Sequence, residues 1–377
     1  MKDYFPQTRV GEEFRKNATP VVERFGNADT RPAASIIVLN RNGAGWLPKC
    51  FESIKKQTIL PQLETILVDN DSSDDSVAVA RRLLADFPSA CIARNRMGFG
   101  FCGGNNVGAG VARGRFVFFI NNDAWLEPDC MERLLAETVR TGAAAATPWV
   151  LNYADDTHQD LGYFGFDIFG LACGSSPAAA TREIFSPTGC TYLIDREVFK
   201  QVGMFDPDFF MYSDETDLSW RVQIAGHKVV GVPSARAHHR GAAGANPAGG
   251  AQTLEFRTTE EKRFLTNRNS LLTLLKCGRH ILLLLMLLQV GLLMVEGLVM
   301  LLLTRRWSFF RRVYLGAIGD CWRMRGHVRE QRRVIAGFRR HGDFWMLRFL
   351  RPQLNRWFEI KRVLKFGLPR VDTRASQ

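Results

Sequence analysis

No two cysteines of this chain stand at C-x-x-C spacing. The eight lie singly at positions 50, 91, 102, 130, 173, 190, 277 and 321. That pattern offers neither a zinc site nor a disulfide framework, and free thiols in a reducing compartment are expected. The opening residues, MKDYFPQTRVGEEF, hold no apolar run, so no secretory leader is expected there. No G-K-[ST] ending follows the glycine-rich stretch at 95–108, which excludes a P-loop. That stretch also lacks the acid about 20 residues on that a dinucleotide-binding turn requires. Acidic charge is scarce at the C-terminal end. From Thr304 onward there are 19 Lys/Arg and 5 Asp/Glu, leaving 31 basic and 33 acidic residues before that point. The net charge of +12 therefore resides in the tail, which suits nucleic acid or an anionic membrane surface.

What is present suits one large α/β domain with an appendage: 377 residues, 46% hydrophobic. Short apolar runs at 34–39 (ASIIVL), 64–68 (ETILV), 90–93 and 115–120 (RFVFFI) read as buried parallel strands. Helical spacing of apolar residues separates them, at Leu47, Cys50, Phe51 and Ile54 and again over 76–86. Strands alternating with helices predict a mostly parallel, doubly wound sheet, in which ligands bind at the carboxyl ends of the strands. Further strands are expected at 189–195 and 227–232 and a short helix at 196–202. The organisation read from these patterns is an N-terminal extension at 1–32, a main domain at 33–270, a hydrophobic helix at 271–303 and a basic amphipathic tail at 304–377.

Five groups of residues carry chemistry. Asp69-Asn70-Asp71 closes a strand, where a carboxylate can accept hydrogen bonds from a nucleobase or a ribose hydroxyl. The stretch Asn95–Gly108 (NRMGFGFCGGNNVG) reads as a loop whose glycines let backbone approach a ligand, with Asn105 and Asn106 as amide donors. Asn121-Asn122-Asp123 closes another strand; Asp123 can hold a hard divalent cation on a diphosphate, with the asparagines in support. Asp214-Glu215-Thr216-Asp217 packs three acids into four residues, and like charges that close raise one another's pKa, as a general base needs. His238-His239 could complete a metal's shell.

In order, the segments SIIVLNRNG, LVDNDSSDDS, NRMGFGFCGGNNVG, FFINNDAWLEPD, SPTGCTYLIDREVF and VGMFDPDFFMYSDETDLSWRVQIAGHKVVGVPSARAHHRG closely resemble the family 2 glycosyltransferases. The likeness is greatest to the bacterial branch with rhamnosyltransferases and galactofuranosyltransferases. It covers about residues 34–241, and Arg268-Asn269 resembles a short motif downstream. The resemblance implies a GT-A fold, a Rossmann-like sheet with flanking helices, and an inverting single displacement. It implies Mg2+ or Mn2+ as cofactor and a dTDP- or UDP-sugar as donor, with rhamnose the first guess. Asp69 matches the acid that reads the base. Asn40, Asn70, Asp71, Gly98, Asn105, Asn106, Asn122 and Gly189 fall with the nucleotide-sugar contacts. Asp123 matches the last acid of the D-x-D-type metal motif, with Asn121 where some members have the first. His239, six residues after Pro233, matches the metal-binding histidine better than His238. Glu215 matches the base of a pair usually written Glu-Asp; the order here is reversed, so Asp214 is a rival. Asp217 matches a further acid, an acceptor contact or a supporting residue.

Ile281–Leu303 is 23 residues with only Gln289 and Glu296 strongly polar. At about 1.5 Å per residue it could cross about 30 Å of hydrocarbon. Aromatic and basic residues mixed downstream, such as Trp307, Arg311, Trp322, Arg323, Phe344, Arg348, Trp357, Phe358, Lys361 and Arg362, suit a headgroup region better than nucleic acid. A simple span would put 19 Lys/Arg outside, against the positive-inside tendency, so a shallow or in-plane arrangement at the cytoplasmic face is expected. The expected acceptor is then lipid-linked or a cell-envelope glycan, with no nucleic acid as partner. A catalytically inactive scaffold is the competing reading, favoured only by the reversed Asp214-Glu215 pair.

Overall fold

The computed structural model describes residues 10–26, 31–174, 176–241 and 257–355, with positions 357, 361, 367 and 370–372 beyond. The chain opens with helix α1 (Val10–Asn17) and strand β1 (Val21–Gly26). Then β2 (Ala34–Asn40), α2 (Leu47–Lys55), β3 (Leu63–Asp69), α3 (Ser76–Leu84), β4 (Ser89–Arg94), α4 (Gly100–Val111) and β5 (Phe116–Asn121) alternate. Strands β4, β3, β2 and β5 are parallel neighbours, in register Asn40 with Asp69 and Leu39 with Asn121. Next come β6 (Ala124–Leu126), α5 (Cys130–Thr141), β7 (Ala145–Asn152), β8 (His158–Asp160), β9 (Tyr163–Phe166), β10 (Ala172–Gly174), β11 (Arg182–Glu183), β12 (Thr191–Asp195), α6 (Arg196–Gln201), α7 (Asp214–Ile224) and β13 (Val229–His239). The main sheet runs β1-β4-β3-β2-β5-β12-β7-β13-β11. Strand β12 enters antiparallel between β5 and β7, and β13 returns parallel to β7. One face of the sheet is covered by α2, α3 and α5, the other by α4, α6 and α7, each over a buried apolar layer.

The structure refines four sequence expectations. The extension contributes α1 and β1, and β1 pairs antiparallel with β4 and closes that edge, held by Arg81 on Glu23 (2.8 Å). Residues 1–9 lie outside the described residues. The glycine-rich stretch, expected to be a loop, is helix α4 from Gly100 on. Its glycines serve close packing: a Cβ on Gly104 would lie 2.4 Å from Leu39, and one on Gly108 2.5 Å from Ile37. The helix sits directly on the sheet where larger residues would hold it off.

The expected boundary at residue 270 also moves, because α8 (Glu260–Cys277) runs through it with Leu271, Leu272 and Leu274 buried in the main body. The hydrophobic helix is α9 (Ile281–Thr304). Finally, the basic tail folds back. After α10 (Trp307–Phe309) and a π-helical turn at Phe310–Leu315 come α11 (Gly316–Arg323), α12 (Arg325–Phe338) and α13 (Asp343–Met346). Asp320 bonds buried Arg268 at 3.2 Å, and the Asp343 carboxylate accepts from the backbone N–H of Arg279, His280 and Leu282, capping α9 from 60 residues away. Arginines therefore crowd the outside of helices whose inner faces belong to the body. Phe358 and Arg362 of the tail pattern lie outside the described residues.

Candidate active site

Parallel strands β2, β3 and β5 deliver Asn40, Asp69 and Asn121 side by side to one edge of the sheet. Asp69 is buried, and its Oδ1 has no hydrogen-bond partner among the described residues. A buried carboxylate oxygen left unmatched is costly, so this atom is suited to a ligand N–H or O–H. Asn70 is already engaged at both its side-chain atoms. Its Oδ1 accepts from Asn95 Nδ2 (3.0 Å) and Phe99 N (2.9 Å), and its Nδ2 donates to Gly100 O (3.0 Å). It shapes the start of α4 rather than meeting a ligand. Asn106 likewise exchanges both its amide bonds with the backbone of Phe205. Asn105 is buried, and neither of its amide atoms has a hydrogen-bond partner among the described residues. Asp71 stands exposed in a left-handed turn (φ 70°), and Gly98 lets Arg41 lie close beside Asn70. Asn40 Oδ1 accepts from Asn122 Nδ2 at 2.7 Å. Gly43, unremarked in the sequence, makes room for that pair: a Cβ there would sit 2.2 Å from Asn122 Nδ2.

Strand β13 ends in two histidines that alternate across it. His238 turns away, stacking on Trp125 (3.6 Å between ring centres) and pairing with Asp156 (3.1 Å). His239 turns to Asp123, with Nε2 3.4 Å from its Oδ1 and 3.3 Å from Asn121 Nδ2. Gln159 fixes the ring: its Nε2 donates to Asn152 Oδ1 and His239 O, so its Oε1 faces His239 Nδ1 at 2.8 Å. Nδ1 must then carry a proton, and Nε2 is the atom presented to Asp123. Burial disfavours a charged ring, but the Cys190 thiol and the Asp123 carboxylate push His239 up to about 10. Burial likewise works against Asp123, and His239 holds its carboxyl below the usual range. A cation held between them would have to displace the proton that His239 otherwise carries.

The acids stand at the first turn of α7. The preceding loop is strained, with Phe210, Tyr212 and Ser213 at φ 65°, 69° and 59°. Asn269 of α8 grips it by donating to the carbonyls of Phe209 (3.1 Å), Met211 (2.9 Å) and Tyr212 (2.8 Å), while Arg268 donates to those of Asp208 and Phe209. Glu215 is half-buried, and Gly189 leaves space beside it: a Cβ there would be 3.6 Å from its carboxylate. Burial raises the Glu215 pKa, against hydrogen bonds from backbone N–H groups and the Tyr163 hydroxyl. Asp214 is buried, and that burial plus the Glu215 charge hold its carboxyl well above the usual range. Asp217, grouped with the catalytic acids by sequence, is fully buried between Arg221 (2.7 Å) and Lys276 (2.9 Å). It anchors α7 to α8 and does not face the open site.

The two halves meet through adjacent residues. Gly189 borders Glu215, while Cys190 hydrogen-bonds His239 and accepts from Asn121 N through its carbonyl (3.1 Å). A segment that sequence reasoning missed also joins them: Gln159 holds His239, Tyr163 bonds Glu215, and Asp160 lies between. Burial pushes Asp160 up to about 7, opposed by the N–H groups of Gly162 and Leu161 and assisted by the Glu215 charge. The only sequence signal was its cluster of polar residues after a strand, which is common to turns.

A second cluster brings Asp206, Asp208 and His327 within cation-binding reach of one another. Side-chain cations already fill it. Lys276 lies 2.5 Å and His327 2.8 Å from Asp206 Oδ2, and Arg15 lies 2.9 Å from Asp208. A divalent ion there would face these positive groups, so we read the cluster as an ion-pair hub tying α1, α8 and α12 together.

Residues 35–217 match the family model Glycosyl transferase family 2. EpsH of Bacillus subtilis (strain 168) is 33% identical over 132 residues, 35% of this chain and 36% of that protein. The O-antigen biosynthesis protein RfbC of Myxococcus xanthus is 27% identical over 225 residues, 56% of this chain and 18% of that protein. The chain thus spans about a third or less of these relatives' lengths. Among solved structures, S. aureus TarS 1-349 in complex with UDP gives a TM-score of 0.51 at 10% identity, covering 81% of this chain and 88% of that one. GalNAc-T7 with UDP, GalNAc and Mn2+ gives 0.54 at 15% identity, covering 67% and 49%. These likenesses show a shared fold, the mixed α/β sheet of GT-A enzymes.

Proposed function

Taking residues 35–217 as a glycosyl transferase family 2 domain, we propose that this chain moves one sugar from a nucleotide-sugar donor to an acceptor hydroxyl. The observation that carries the reading is the shared wall of the site. Gly189 and Cys190, adjacent in sequence, touch the acid Glu215 on one side and the pair His239–Asp123 on the other. A leaving-group site and a base are thereby set on the two sides of one short segment. The unpartnered Asp69 Oδ1 supports a nucleobase contact at the far end of the same sheet edge. TarS bound to UDP and GalNAc-T7 bound to UDP and Mn2+ support the same donor class.

The donor set fits a hard divalent cation: one carboxylate and one imidazole nitrogen aimed at a common point, with diphosphate oxygens to complete the shell. Asp123 and His239 would hold Mg2+ or Mn2+, which neutralises the departing nucleoside diphosphate. Glu215 takes the proton of the acceptor hydroxyl as that oxygen bonds the anomeric carbon and the bond to the diphosphate breaks. Attack from the side opposite the leaving group inverts the anomeric centre. The raised pKa of Glu215 strengthens it as a base, and the open space at Gly189 gives an acceptor access to it. Asp214, buried and with its pKa pushed well up by burial and the Glu215 charge, is the poorer candidate because an acceptor cannot reach it as readily.

The likeness to an O-antigen biosynthesis protein supports an envelope glycan as acceptor. We extend the proposal to a lipid-linked acceptor met at the cytoplasmic face of a membrane, and rhamnose from dTDP is the first donor to test. A panel of nucleotide sugars, assayed with membranes and with Mg2+ or Mn2+, tests the reading. Release of a nucleoside diphosphate from one donor, abolished by EDTA and by Asp123→Asn, is expected. No turnover of any donor would favour an inactive scaffold.

A further inference from the structure

Helix α9 has two unlike faces. Leu282, Leu285, Gln289, Leu293, Gly297 and Met300 recur every three or four residues and are buried against the protein. Leu284, Leu287, Val295, Leu298, Val299 and Leu302 form the opposite stripe and are exposed, Leu302 at 77%. Both strongly polar residues face inward: Gln289 is 1% exposed, and Glu296 bonds Arg263 (3.0 Å) and the Tyr314 hydroxyl (3.1 Å). No Lys or Arg interrupts the helix. A continuous apolar stripe along 24 residues is far more than the scattered leucines of an ordinary surface.

The inner face argues against a simple crossing. It packs along α8 and the π-helical turn, and α8 is itself embedded in the main body. A bilayer-normal α9 would draw the polar α/β domain beside it into hydrocarbon, where exposed loops and strand edges have no partners. Only the outer stripe is free to meet lipid. Its surroundings fit that occupant. Exposed Arg305, Arg306 and Arg312 follow directly, with Trp307, Trp322 and Phe344 exposed at 57%, 72% and 79%. Indole and guanidinium groups together suit the headgroup layer, and the positive surround suits an anionic surface. A second copy of the chain would instead bring these arginines against their own kind.

We infer that α9 lies in the plane of an anionic phospholipid surface, its outer stripe at the acyl boundary and its inner face on the protein. The inference does not rest on the sugar-transfer reading, since it concerns a surface and not the site. The test uses the purified full chain and vesicles of phosphatidylethanolamine with phosphatidylglycerol. Nitroxide labels on Leu284→Cys, Val295→Cys and Leu302→Cys occupy exposed positions, while all eight native thiols are buried. All three labels at one shallow depth is the expected result. Depth changing steadily over the about 27 Å between residues 284 and 302 would mean a span and would overturn the inference. So would labels shielded by a second copy with no lipid contact. Changing Leu284, Leu287, Leu298 and Leu302 to Ser should weaken partitioning about tenfold per residue with circular dichroism unchanged. Unaltered partitioning of that variant, or full release of the native chain by salt, would also overturn it.

Discussion

Asn269→Ala removes the side-chain amide whose two N–H groups reach three carbonyls of the loop that presents Glu215. Phe210, Tyr212 and Ser213 each sit in the left-handed region, at about 1–2 kcal/mol per residue, or about 3–6 kcal/mol together. Its two N–H groups, shared among those three carbonyls and contributing about 0.5–1.5 kcal/mol each, offset about 1–3 kcal/mol of that. That is a large part of the cost, so the loop holds its shape best while gripped. Without the amide it relaxes, and Glu215, two residues past Ser213, moves with it. Displacing a catalytic group by about 1 Å costs on the order of 10²-fold in rate. The expected result is a kcat lowered about 10²-fold with little change in nucleoside diphosphate binding, because Asp69 and Asp123 lie on other elements. Transfer kinetics with the donor identified by the panel, paired with calorimetric titration of UDP or dTDP, would measure both. A folded variant with kcat within about twofold of the native value would refute the argument. A loss of nucleotide binding equal to the loss of rate would refute it too, since the grip would then serve the whole site.

Further outcomes follow from the same geometry. Glu215→Gln should lower kcat by about 10²–10⁴-fold and spare donor binding, whereas Asp214→Asn should cost less; the reverse ranking in transfer assays would make Asp214 the base. Gln159→Leu frees the His239 ring and should weaken Mn2+ binding about 10–100-fold, read by titration calorimetry. Metal affinity should rise with pH between about 7 and 9, because the cation must displace a proton from His239, whose pKa lies near 10. Asp160 has a folded pKa of about 7, above its unfolded value. Its stabilising contribution is full below about pH 4 and is lost as pH rises through 7. Asp160→Asn should therefore stabilise the fold at pH 8, by up to about 4 kcal/mol, and raise Tm there while changing it little at pH 4; equal shifts at both would disprove the assignment.

Periodicity made the central sheet readable, because β2, β3, β4 and β5 are short apolar runs with no competing pattern. The same reasoning failed at α4. Glycine ordinarily argues for a loop, but here tight contact with Leu39 and Ile37 outweighs its low helix propensity. The edge strand β1 has no apolar periodicity of its own and exists by pairing with β4. In the site, positions at strand ends were legible because side chains there meet ligands whatever the sequence around them. Side-chain use was not. Nothing local distinguishes Asn70 and Asn106, spent on backbone, from Asp69, left unmatched. Nor could spacing show that Asp217 is held by Lys276, 59 residues downstream. Nor did the tail's charge show its packing, since arginines on one face of α11 and α12 conceal inner faces bound to Asp206 and Arg268.

Helix α8 carries Arg268 and Asn269 near its middle and turns into α9 through only three residues, 278–280. The rod that shapes the acid loop is thus continuous with the element inferred to rest on lipid. Such a joint would act as a gauge. It would set the height of Glu215 above the headgroups, and with it the distance at which a tethered hydroxyl can be met. Selectivity would then depend on how far an acceptor group projects from its lipid as much as on which sugar ends it. A series of lipid-linked acceptors differing only in spacer length should show a single sharp optimum on vesicles. The same head groups freed of lipid should show none.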